Sequence, residues 1–304
     1  MYYFIVNPSS QSGSGKKIWH QIEAELKRQD IAYKHFFTRY EGHTVELVRQ
    51  ICKTYPGEKN LVFLGGDGTI NEVYNAVPDP SEVVLGCIPT GSGNDFAGSL
   101  GIPTDPIKAL YRILNGTVHT LDFGTVTMNG FTRRYAGSAG IGYDAAVCKE
   151  MMDSPIKDFL NKIHLGKLGY LVIAVKEFLS FPLTTFTSTL DDGPTISYPK
   201  TIFICPMNQP REGGSMIMAP AAKLDDGELT VCTFYGMPRM KAMTLLPLTY
   251  LGKHIGFSGT RQENAKRVEI TTNVPMPVHV DGEYIGETKH AIFELAQSKI
   301  RVRY

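Results

Sequence analysis

Apolar runs and helical patterns alternate over residues 1–115. Four runs are apolar at most positions, which predicts buried strands at Tyr2–Val6, Tyr33–Phe37, Leu61–Leu64 and Val83–Ile88. Between them, apolar residues recur every three or four positions and predict helices, as with Ile18, Ile22 and Leu26. Strands that are apolar on both faces and alternate with helices are typical of a parallel sheet covered on both sides. We therefore predict an amino-terminal α/β domain.

The pattern changes near residue 117, where short β-rich segments begin. Four dipeptides that favour tight turns separate these segments: Asn129-Gly130, Asp192-Gly193, Asp226-Gly227 and Asp281-Gly282. Two helical stretches interrupt them, one at 145–180 and one at 237–254, which Pro247 is expected to break. The second half is therefore predicted to be an antiparallel sandwich or barrel with helical insertions.

The composition is that of a globular protein and narrows the range of partners. The 304 residues are 42% hydrophobic and 20% charged, and 31 basic against 30 acidic residues leave a net charge of +1. This balance argues against nucleic-acid binding. The cysteines lie far apart without a CxxC pattern, which indicates free thiols in a reducing cytosol. The start, MYYFIVNP, has no signal-peptide pattern, so we expect a cytoplasmic protein that spans no membrane.

The third predicted strand breaks into a glycine-rich turn, Gly65-Gly66-Asp67-Gly68-Thr69, and a helix follows. Glycines let the backbone turn sharply and bring its N–H groups close to a ligand. The helix then presents unpaired N–H groups at its start, which suit phosphate oxygens. The turn is neither a Walker A loop nor a GxGxxG fingerprint. It predicts a phosphate site, with an ordinary strand-to-helix turn as the alternative.

Two further loops at predicted strand ends have the same character. One runs from Thr90 to Phe96 and contains Ser92, Asn94 and Asp95, and the last two could instead only cap the next helix. The other joins Asn7-Pro8-Ser9-Ser10 to the glycine-rich Gly13-Ser14-Gly15-Lys16. Because ligands of parallel sheets bind at the carboxyl ends of the strands, the three loops together favour a nucleotide site.

The stretch GGDGTINEV, followed by P-x-G-x-x-N-D-F-A, resembles the diacylglycerol kinase catalytic family, which includes bacterial soluble diacylglycerol kinases and the sphingoid-base and ceramide kinases. The resemblance continues in order to the end of the chain, through Asp122 in LDFG, Gly213-Gly214, the run 223–228 and the final V-D-G-E-Y at 280–284. It departs from the family in two places. Ser10-Gln11-Ser12 lengthens the first loop, and Ser92 stands where the family usually has Thr.

The resemblance implies a fold of two domains with a cleft between them. A Rossmann-like, phosphofructokinase-like α/β domain would comprise 1–118 plus 290–304 and bind ATP, and an antiparallel β-sandwich at 119–289 would take the lipid substrate. By position, the implied nucleotide-binding residues are Asn7, Pro8, Ser9, Ser10, Thr38, Gly66, Asp67, Gly68, Thr69, Ile70, Asn71, Glu72 and Ser92.

The resemblance also implies the acidic residues of the site. Asp67 and Asp95 would lie near nucleotide and substrate, and Asp281 or Glu283 would be the base that accepts the proton of the lipid hydroxyl. A magnesium ion would take the Lys223 carbonyl, Asp226 and the Glu228 carbonyl, with Asp122 in the water network behind it. From the residues alone, Asp281-Gly282 and Asp226-Gly227 could equally be simple turns.

The implied function is an ATP- and Mg²⁺-dependent lipid kinase that converts diacylglycerol to phosphatidic acid. Alternatives are a kinase of a sphingoid base or monoacylglycerol, NAD kinase, which shares a GGDGT loop, and a non-catalytic lipid-binding regulator. The stretch 157–180 has apolar and lysine-bearing faces, so it is either a packed helix or a contact with the inner membrane face. A cluster of methionines is either core or an acyl-chain pocket: Met207, Met216, Met218, Met237, Met240 and Met243. Edge strands of the sandwich favour a homodimer.

Overall fold

A computed structural model describes residues 1–153 and 166–304 and contains two large sheets. The first sheet has six strands in the order β2–β1–β3–β4–β18–β5. These strands are β1 (Tyr2–Val6), β2 (Tyr33–Phe37), β3 (Lys59–Gly65), β4 (Val83–Pro89), β5 (Val118–Leu121) and β18 (Ile300–Arg303). Five of them are parallel, and β5 runs antiparallel to β18 at the edge. The predicted α/β domain is confirmed.

Six helices accompany this sheet: α1 (Ser10–Gly13), α2 (Gly15–Arg28), α3 (His43–Thr54), α4 (Asp67–Ala76), α5 (Asp95–Ser99) and α6 (Pro106–Asn115). The apolar face of α2 is buried at Ile18, Ile22 and Leu26, as its spacing predicts. The start of α6 is fixed by the Asp105 carboxylate, which accepts the Lys108 N–H at 2.8 Å, and by Pro106 in its first turn.

The second sheet has ten antiparallel strands: β6 (Gly124–Met128), β7 (Phe131–Tyr135), β8 (Ala139–Gly142), β9 (Thr184–Leu190), β10 (Thr195–Thr201), β11 (Phe203–Met207), β14 (Leu229–Phe234), β15 (Thr260–Ala265), β16 (Arg267–Val280) and β17 (Glu283–Leu295). A separate small hairpin pairs β12 (Arg211–Glu212) with β13 (Met216–Ile217). The long strand β16 pairs with β9 along its first half and with β8 near its end, so all ten strands are connected. The predicted antiparallel β domain is confirmed.

The described residues of the second half of the chain include the helices α7 (Tyr143–Asp153), α8 (Gly166–Ser180) and α9 (Arg239–Thr249). The predicted helical stretch 145–180 is described only in part, because residues 154–165 lie outside the described residues. The expected break at Pro247 is wrong, since α9 continues to Thr249. Pro247 lies in the last turn, where the helix ends within two residues. Among the described residues, no helix is long and apolar enough to cross a membrane.

The turn dipeptides have two different roles. Asn129-Gly130 and Asp281-Gly282 close two-residue hairpins with positive φ at both positions, at 48° and 83° and at 47° and 82°. Asp226-Gly227 does not close a hairpin, because its loop folds onto Asp122 before β14 begins. The domain limits predicted at 118 and 290 stay a prediction. The sheet membership of strands changes after Leu121 and again between Leu295 and Ile300.

Each sheet has its own hydrophobic core. Phe4, Trp19 and Phe63 lie in the core of the first, and Phe186 and Phe293 lie in the core of the second. The methionine cluster divides: Met207, Met218 and Met237 are buried in the second core, whereas Met240 is 69% exposed.

Candidate active site

The loops that follow the parallel strands meet at one edge of the first sheet. The Asn7 N–H donates to the Leu64 carbonyl at 3.4 Å, and the Thr90 N–H donates to the Gly65 carbonyl at 2.9 Å. On the other side of β1, the Thr38 N–H donates to the Val6 carbonyl at 2.9 Å. The structure therefore brings together the four predicted nucleotide-binding segments, because the four strands are parallel neighbours.

The glycine-rich turn after β3 packs directly against the loop after β4. A Cβ on Gly66 would lie 2.8 Å from the Gly91 Cα, and a Cβ on Gly91 would lie 2.4 Å from the Gly66 Cα. Glycine at both positions allows this contact. The first intrahelical bond of α4 runs from the Ile70 N–H to the Gly66 carbonyl at 3.1 Å. The N–H groups of residues 67–69 precede that bond and make the start of α4 suitable for phosphate oxygens.

Asp67, and not Asn94, caps helix α5. The Asp67 carboxylate accepts the N–H groups of Asp95 and Phe96, both at 3.2 Å, and so caps α5. The Asn94 side chain does not cap this helix, because its amide bonds to the Gly91 N–H and carbonyl at 2.9 and 2.8 Å. Burial, and then the nearby Asp95 charge, raises the pKa of Asp67 to about 6.

Asp95 joins the α/β domain to the β12–β13 hairpin. Its carboxylate accepts the Gly214 N–H at 2.9 Å and the Ser215 N–H at 2.7 Å. Burial raises the pKa of Asp95, and these two hydrogen bonds lower it. The predicted Gly213-Gly214 motif therefore lies beside Asp95, with φ of 61° and 83° that favour glycine.

Three predicted nucleotide-binding residues direct their side chains elsewhere. Ile70 is buried in the first core. The Glu72 carboxylate accepts the Gly42 N–H at 3.0 Å. The Asn71 amide nitrogen donates to Asp281 at 2.8 Å and to the Arg134 carbonyl at 3.1 Å. Their side chains position α4, whereas its first turn faces the edge of the sheet.

The Asp281 carboxylate accepts four hydrogen bonds. Oδ1 accepts the Gly137 and Ser138 N–H groups at 2.8 and 3.1 Å, and Oδ2 accepts the Ala136 N–H at 2.9 Å besides the Asn71 amide. Burial raises the pKa of Asp281, and these donors oppose the shift. Both oxygens are thus committed to holding the segment 136–138 and α4 in place.

Glu283 lies beside the start of α4. A Cβ on Gly68, the second residue of α4, would lie 3.2 Å from Glu283 Oε1. Its other oxygen, Oε2, accepts a hydrogen bond from Arg133 Nη2 at 2.5 Å, and the side chain is 37% exposed. Burial raises the pKa of Glu283, and the Arg133 charge opposes that shift. Of the two candidate bases, Glu283 keeps an oxygen facing the start of α4.

Arg133 belongs to this site although no sequence motif predicts it. Its guanidinium spans the domains, because Nε and Nη2 donate to Asn71 Oδ1 at 3.1 and 2.6 Å while Nη2 also reaches Glu283. The neighbouring Arg134 donates to the carbonyls of Tyr74 and Val77 at the end of α4. The sequence shows only two successive arginines in a predicted β-rich segment. The direction in which their side chains point depends on how β7 packs on α4.

The predicted metal ligands lie in a separate turn around Asp122. Asp122 Oδ2 accepts the Gly227 N–H at 2.8 Å, and Oδ1 lies 2.8 Å from the Lys299 ammonium. Both Asp122 oxygens are therefore engaged. Asp226 lies on the surface of this turn, and burial, followed by the charges of Glu228 and Asp122, raises its pKa. This concentration of negative charge suits a divalent cation bound by Asp226.

The longer first loop folds into the single-turn helix α1. Asn7 Oδ1 accepts the Ser9 N–H at 3.0 Å, and the Asn7 carbonyl accepts the Ser10 hydroxyl at 2.9 Å. A Cβ on Gly15 would lie 2.1 Å from the Asn7 carbonyl oxygen, so glycine is required where α2 begins. The extra residues thus extend the loop without disturbing the end of β1.

Comparisons with known proteins agree over the whole chain. Residues 1–126 match the diacylglycerol kinase catalytic domain, and residues 137–302 match the YegS C-terminal NAD kinase beta sandwich-like domain. The diacylglycerol kinase of Bacillus subtilis (strain 168) is 31% identical over 285 residues, which cover 93% of this chain and 89% of that protein. The YtlR protein of the same organism, whose name carries the words "lipid kinase", is 29% identical over 307 residues, 99% of this chain and 98% of that protein.

Solved structures share the fold. A diacylglycerol kinase structure from Bacillus anthracis str. Sterne aligns over 100% of this chain and 96% of that one, with a TM-score of 0.72 and 19% identity. An NAD kinase from Archaeoglobus fulgidus aligns less well, with a TM-score of 0.50 and 11% identity over 100% of this chain and 94% of that one. The family models and the relatives together identify a lipid kinase. The chain belongs to the diacylglycerol kinase catalytic family.

Proposed function

We propose that this enzyme transfers the γ-phosphate of ATP to the hydroxyl group of diacylglycerol and so forms phosphatidic acid. The observation that carries the proposal is the position of Glu283, whose Oε1 would lie 3.2 Å from a Cβ on Gly68 at the start of α4. A carboxylate base then stands beside a helix terminus that suits phosphate oxygens. The relatives named diacylglycerol kinase support this choice of acceptor.

The loops at the edge of the first sheet would bind ATP. Backbone N–H groups at the start of α4 would hold its phosphates, with Ser92 and the loop Asn7–Ser10 on either side. Thr38 would border the nucleotide from the next strand. Ile70, Asn71 and Glu72 would act by fixing α4, since their side chains have other partners.

Glu283 would accept the proton of the lipid hydroxyl as that oxygen attacks the phosphate. Phosphoryl transfer depends mainly on positioning and on neutralising charge. Arg133 favours the ionised form of Glu283, which a base requires. Asp281 would act as a positioning residue, because its four donors fix the segment 136–138 and Asn71.

Magnesium would be held by the Asp226 carboxylate with the carbonyls of Lys223 and Glu228. The ion would supply positive charge and hold the turn against Asp122, which already accepts the Gly227 N–H. Asp122 itself would remain paired with Lys299.

One face of α8 offers a contact with the bilayer that contains the acceptor. Val172, Val175 and Leu179 are 50, 38 and 58% exposed and lie on one side of the helix. Lys176, expected among the headgroup contacts, instead pairs with Glu150 at 2.8 Å. Sedimentation with phospholipid vesicles should fall in the Val172→Ser/Leu179→Ser double variant and not in Val118→Ser, an exposed position on the first sheet.

Other acceptors remain alternatives within the same site. A sphingoid base or a monoacylglycerol presents the same kind of hydroxyl. NAD kinase is the weaker alternative, because its structural likeness is lower than that of the diacylglycerol kinases. A regulator without activity is disfavoured, since Asp67, Asp95 and Glu283 are all in place.

Transfer from labelled ATP to a panel of lipids in mixed micelles tests the proposal. We expect label in phosphatidic acid, dependence on Mg²⁺ and loss of label in Glu283→Gln. Label in another lipid would identify that lipid, instead of diacylglycerol, as the acceptor. Label only in NAD would contradict the proposal that the enzyme phosphorylates a lipid. The double variant Asp67→Asn/Glu283→Gln provides a blank for contaminating kinases.

A further inference from the structure

Four side chains of different chemistry converge inside the β domain, away from the residues assigned to catalysis. They are Asp144 at the start of α7, Cys205 on β11, Glu212 on β12 and His279 on β16, and one ligand atom of each lies within 4.8 Å of the others. We call them the 144–279 cluster. His279 is fully buried, and the side chains of Asp144 and Glu212 are only 14 and 12% exposed.

The contacts within the cluster are short, and two of them share His279 Nε2. His279 Nε2 lies 3.2 Å from Asp144 Oδ2 and 3.1 Å from Glu212 Oε1, and the Cys205 thiol donates to Glu212 Oε2 at 3.2 Å. Nitrogen and oxygen ligands of zinc lie ~2.0–2.1 Å from the metal, so the edge of a tetrahedral site is ~3.3 Å. The two distances from His279 Nε2 to Asp144 and Glu212 match this edge.

The backbone leaves room for the cluster only because residue 140 is glycine. A Cβ at Gly140 would lie 1.9 Å from Asp144 Oδ2 and 2.6 Å from His279 Nε2. Any side chain there would occupy the space between these two ligands. Two carboxylates also share a single imidazole, so even an imidazolium balances only one of them, and a buried unpaired charge is costly.

We propose that the 144–279 cluster binds one divalent transition-metal cation of the zinc type through His279, Cys205, Asp144 and Glu212. Thiolate and imidazole ligands favour such ions over magnesium, which prefers an octahedral set of oxygens. Binding would release the protons of the Cys205 thiol and of His279 Nε2. Affinity should therefore fall as the pH falls.

The position of the cluster gives the ion a structural role. His279 lies near the end of β16, two residues before Asp281 in the turn, and Glu212 belongs to the β12–β13 hairpin that Asp95 holds. Ser138 precedes β8 and donates its N–H to Asp281. A cation would brace both elements on the substrate side of the cleft without touching the phosphate-binding loops.

Metal content of the full chain tests this inference independently of kinase activity. The protein is stripped with a chelator, loaded with Zn²⁺ in excess Mg²⁺, passed through gel filtration and measured by plasma mass spectrometry. We expect one zinc per chain in the wild type and in Cys87→Ser, whose thiol is as buried as Cys205 but lies in the other domain. His279→Gln and Cys205→Ser should each lose it. No retained zinc in folded wild type would overturn the proposal.

Two measurements on the wild type cover the case in which the variants fail to fold. Co²⁺ should give the strong visible bands of a tetrahedral site together with a thiolate charge-transfer band. Weak octahedral bands without charge transfer would contradict the ligand set. Zn²⁺ should also slow alkylation of Cys205, mapped by peptide mass spectrometry with Cys87 as the internal reference. An unchanged rate at Cys205 would mean that the cluster holds only protons.

Discussion

The Asn71 amide donates to Asp281 Oδ2 at 2.8 Å and so links the helix that begins at the phosphate edge to the β16–β17 turn. This hydrogen bond joins a residue of the α/β domain to a residue of the β domain. Arg133 completes the link, because it bonds to Asn71 and to Glu283 at once. The position of Glu283 relative to the start of α4 therefore depends on polar contacts between the domains.

Glu283 and Asp281 should respond differently to loss of charge. We expect Glu283→Gln to lower kcat about 10²–10⁴-fold with an unchanged melting temperature, because it removes only the base. Asp281→Asn should instead cost about 2–3 kcal/mol of folding free energy, since it weakens four buried hydrogen bonds. Steady-state kinetics and denaturant unfolding of both variants give the answer.

Glu287→Gln is the matched control for these variants. It lies on the same strand and pairs with Lys149 on the surface, so kcat and stability should change little. Wild-type kcat in Glu283→Gln would rule out this residue as the base.

Arg133→Gln should shift the acid limb of the pH profile of kcat/KM towards higher pH. The Arg133 charge lowers the pKa of Glu283, against the effect of burial, so its removal lets that pKa rise. Arg133→Lys keeps a positive charge and should restore most of the profile. Identical profiles in wild type and Arg133→Gln would show that Arg133 does not act through the base.

Asp67 should make the protein less stable as the pH rises from about 4 to about 6. Its pKa is about 6 in the folded state against an ordinary value of 3.8, so the folded state binds more protons in this window. The difference amounts to at most about 3 kcal/mol. The stabilising contribution of the protonated Asp67 should be fully present below about pH 4 and lost above about pH 6.

Asp67→Asn isolates this effect from the other carboxyl groups with raised pKa. Urea unfolding at a series of pH values should show a smaller fall in stability for the variant than for wild type. Parallel curves for the two proteins would contradict the assigned pKa.

Asp95→Asn should loosen the β12–β13 hairpin. Its carboxylate accepts the N–H groups of Gly214 and Ser215, and hydrogen bonds to charged groups contribute about 1.5–3 kcal/mol. Hydrogen exchange at residues 213–217 should accelerate. Asp105→Asn is the control, because it makes the same change at a carboxylate that accepts a backbone N–H at the start of α6, far from the hairpin. If hydrogen exchange at residues 213–217 were as slow in Asp95→Asn as in wild type, Asp95 would not hold the hairpin.

Magnesium should raise the melting temperature of the wild type and not that of Asp226→Ala. Asp226 lies in the turn around Asp122, where partial burial, followed by the charges of Glu228 and Asp122, raises its pKa. Asp225→Ala removes an equally exposed charge from the same turn and should retain the response. If Asp226→Ala retained it as well, magnesium would bind elsewhere.

Much of the fold can be predicted from local sequence patterns. The strands Tyr2–Val6 and Tyr33–Phe37 have the bounds that their sequence patterns predict. Only the first is buried as a central strand, because β2 lies at the edge of its sheet with Lys34 and His35 exposed. The turn at Asp281-Gly282 also follows from its residues, because both must adopt positive φ. Asp226-Gly227 carries the same signal and closes no hairpin, because Asp122 holds its loop instead.

The sequence by itself determined the alternation of strands and helices, the glycine-rich loops and the acidic residues, because these depend on neighbours along the chain. Only the tertiary structure decided what each carboxylate does. Asp281 is held by four donors from distant segments, Glu283 faces α4 beside Arg133, and the 144–279 cluster draws on α7, β11, β12 and β16. Contacts between residues far apart in the chain have no local pattern, since they follow from how the sheets and helices pack.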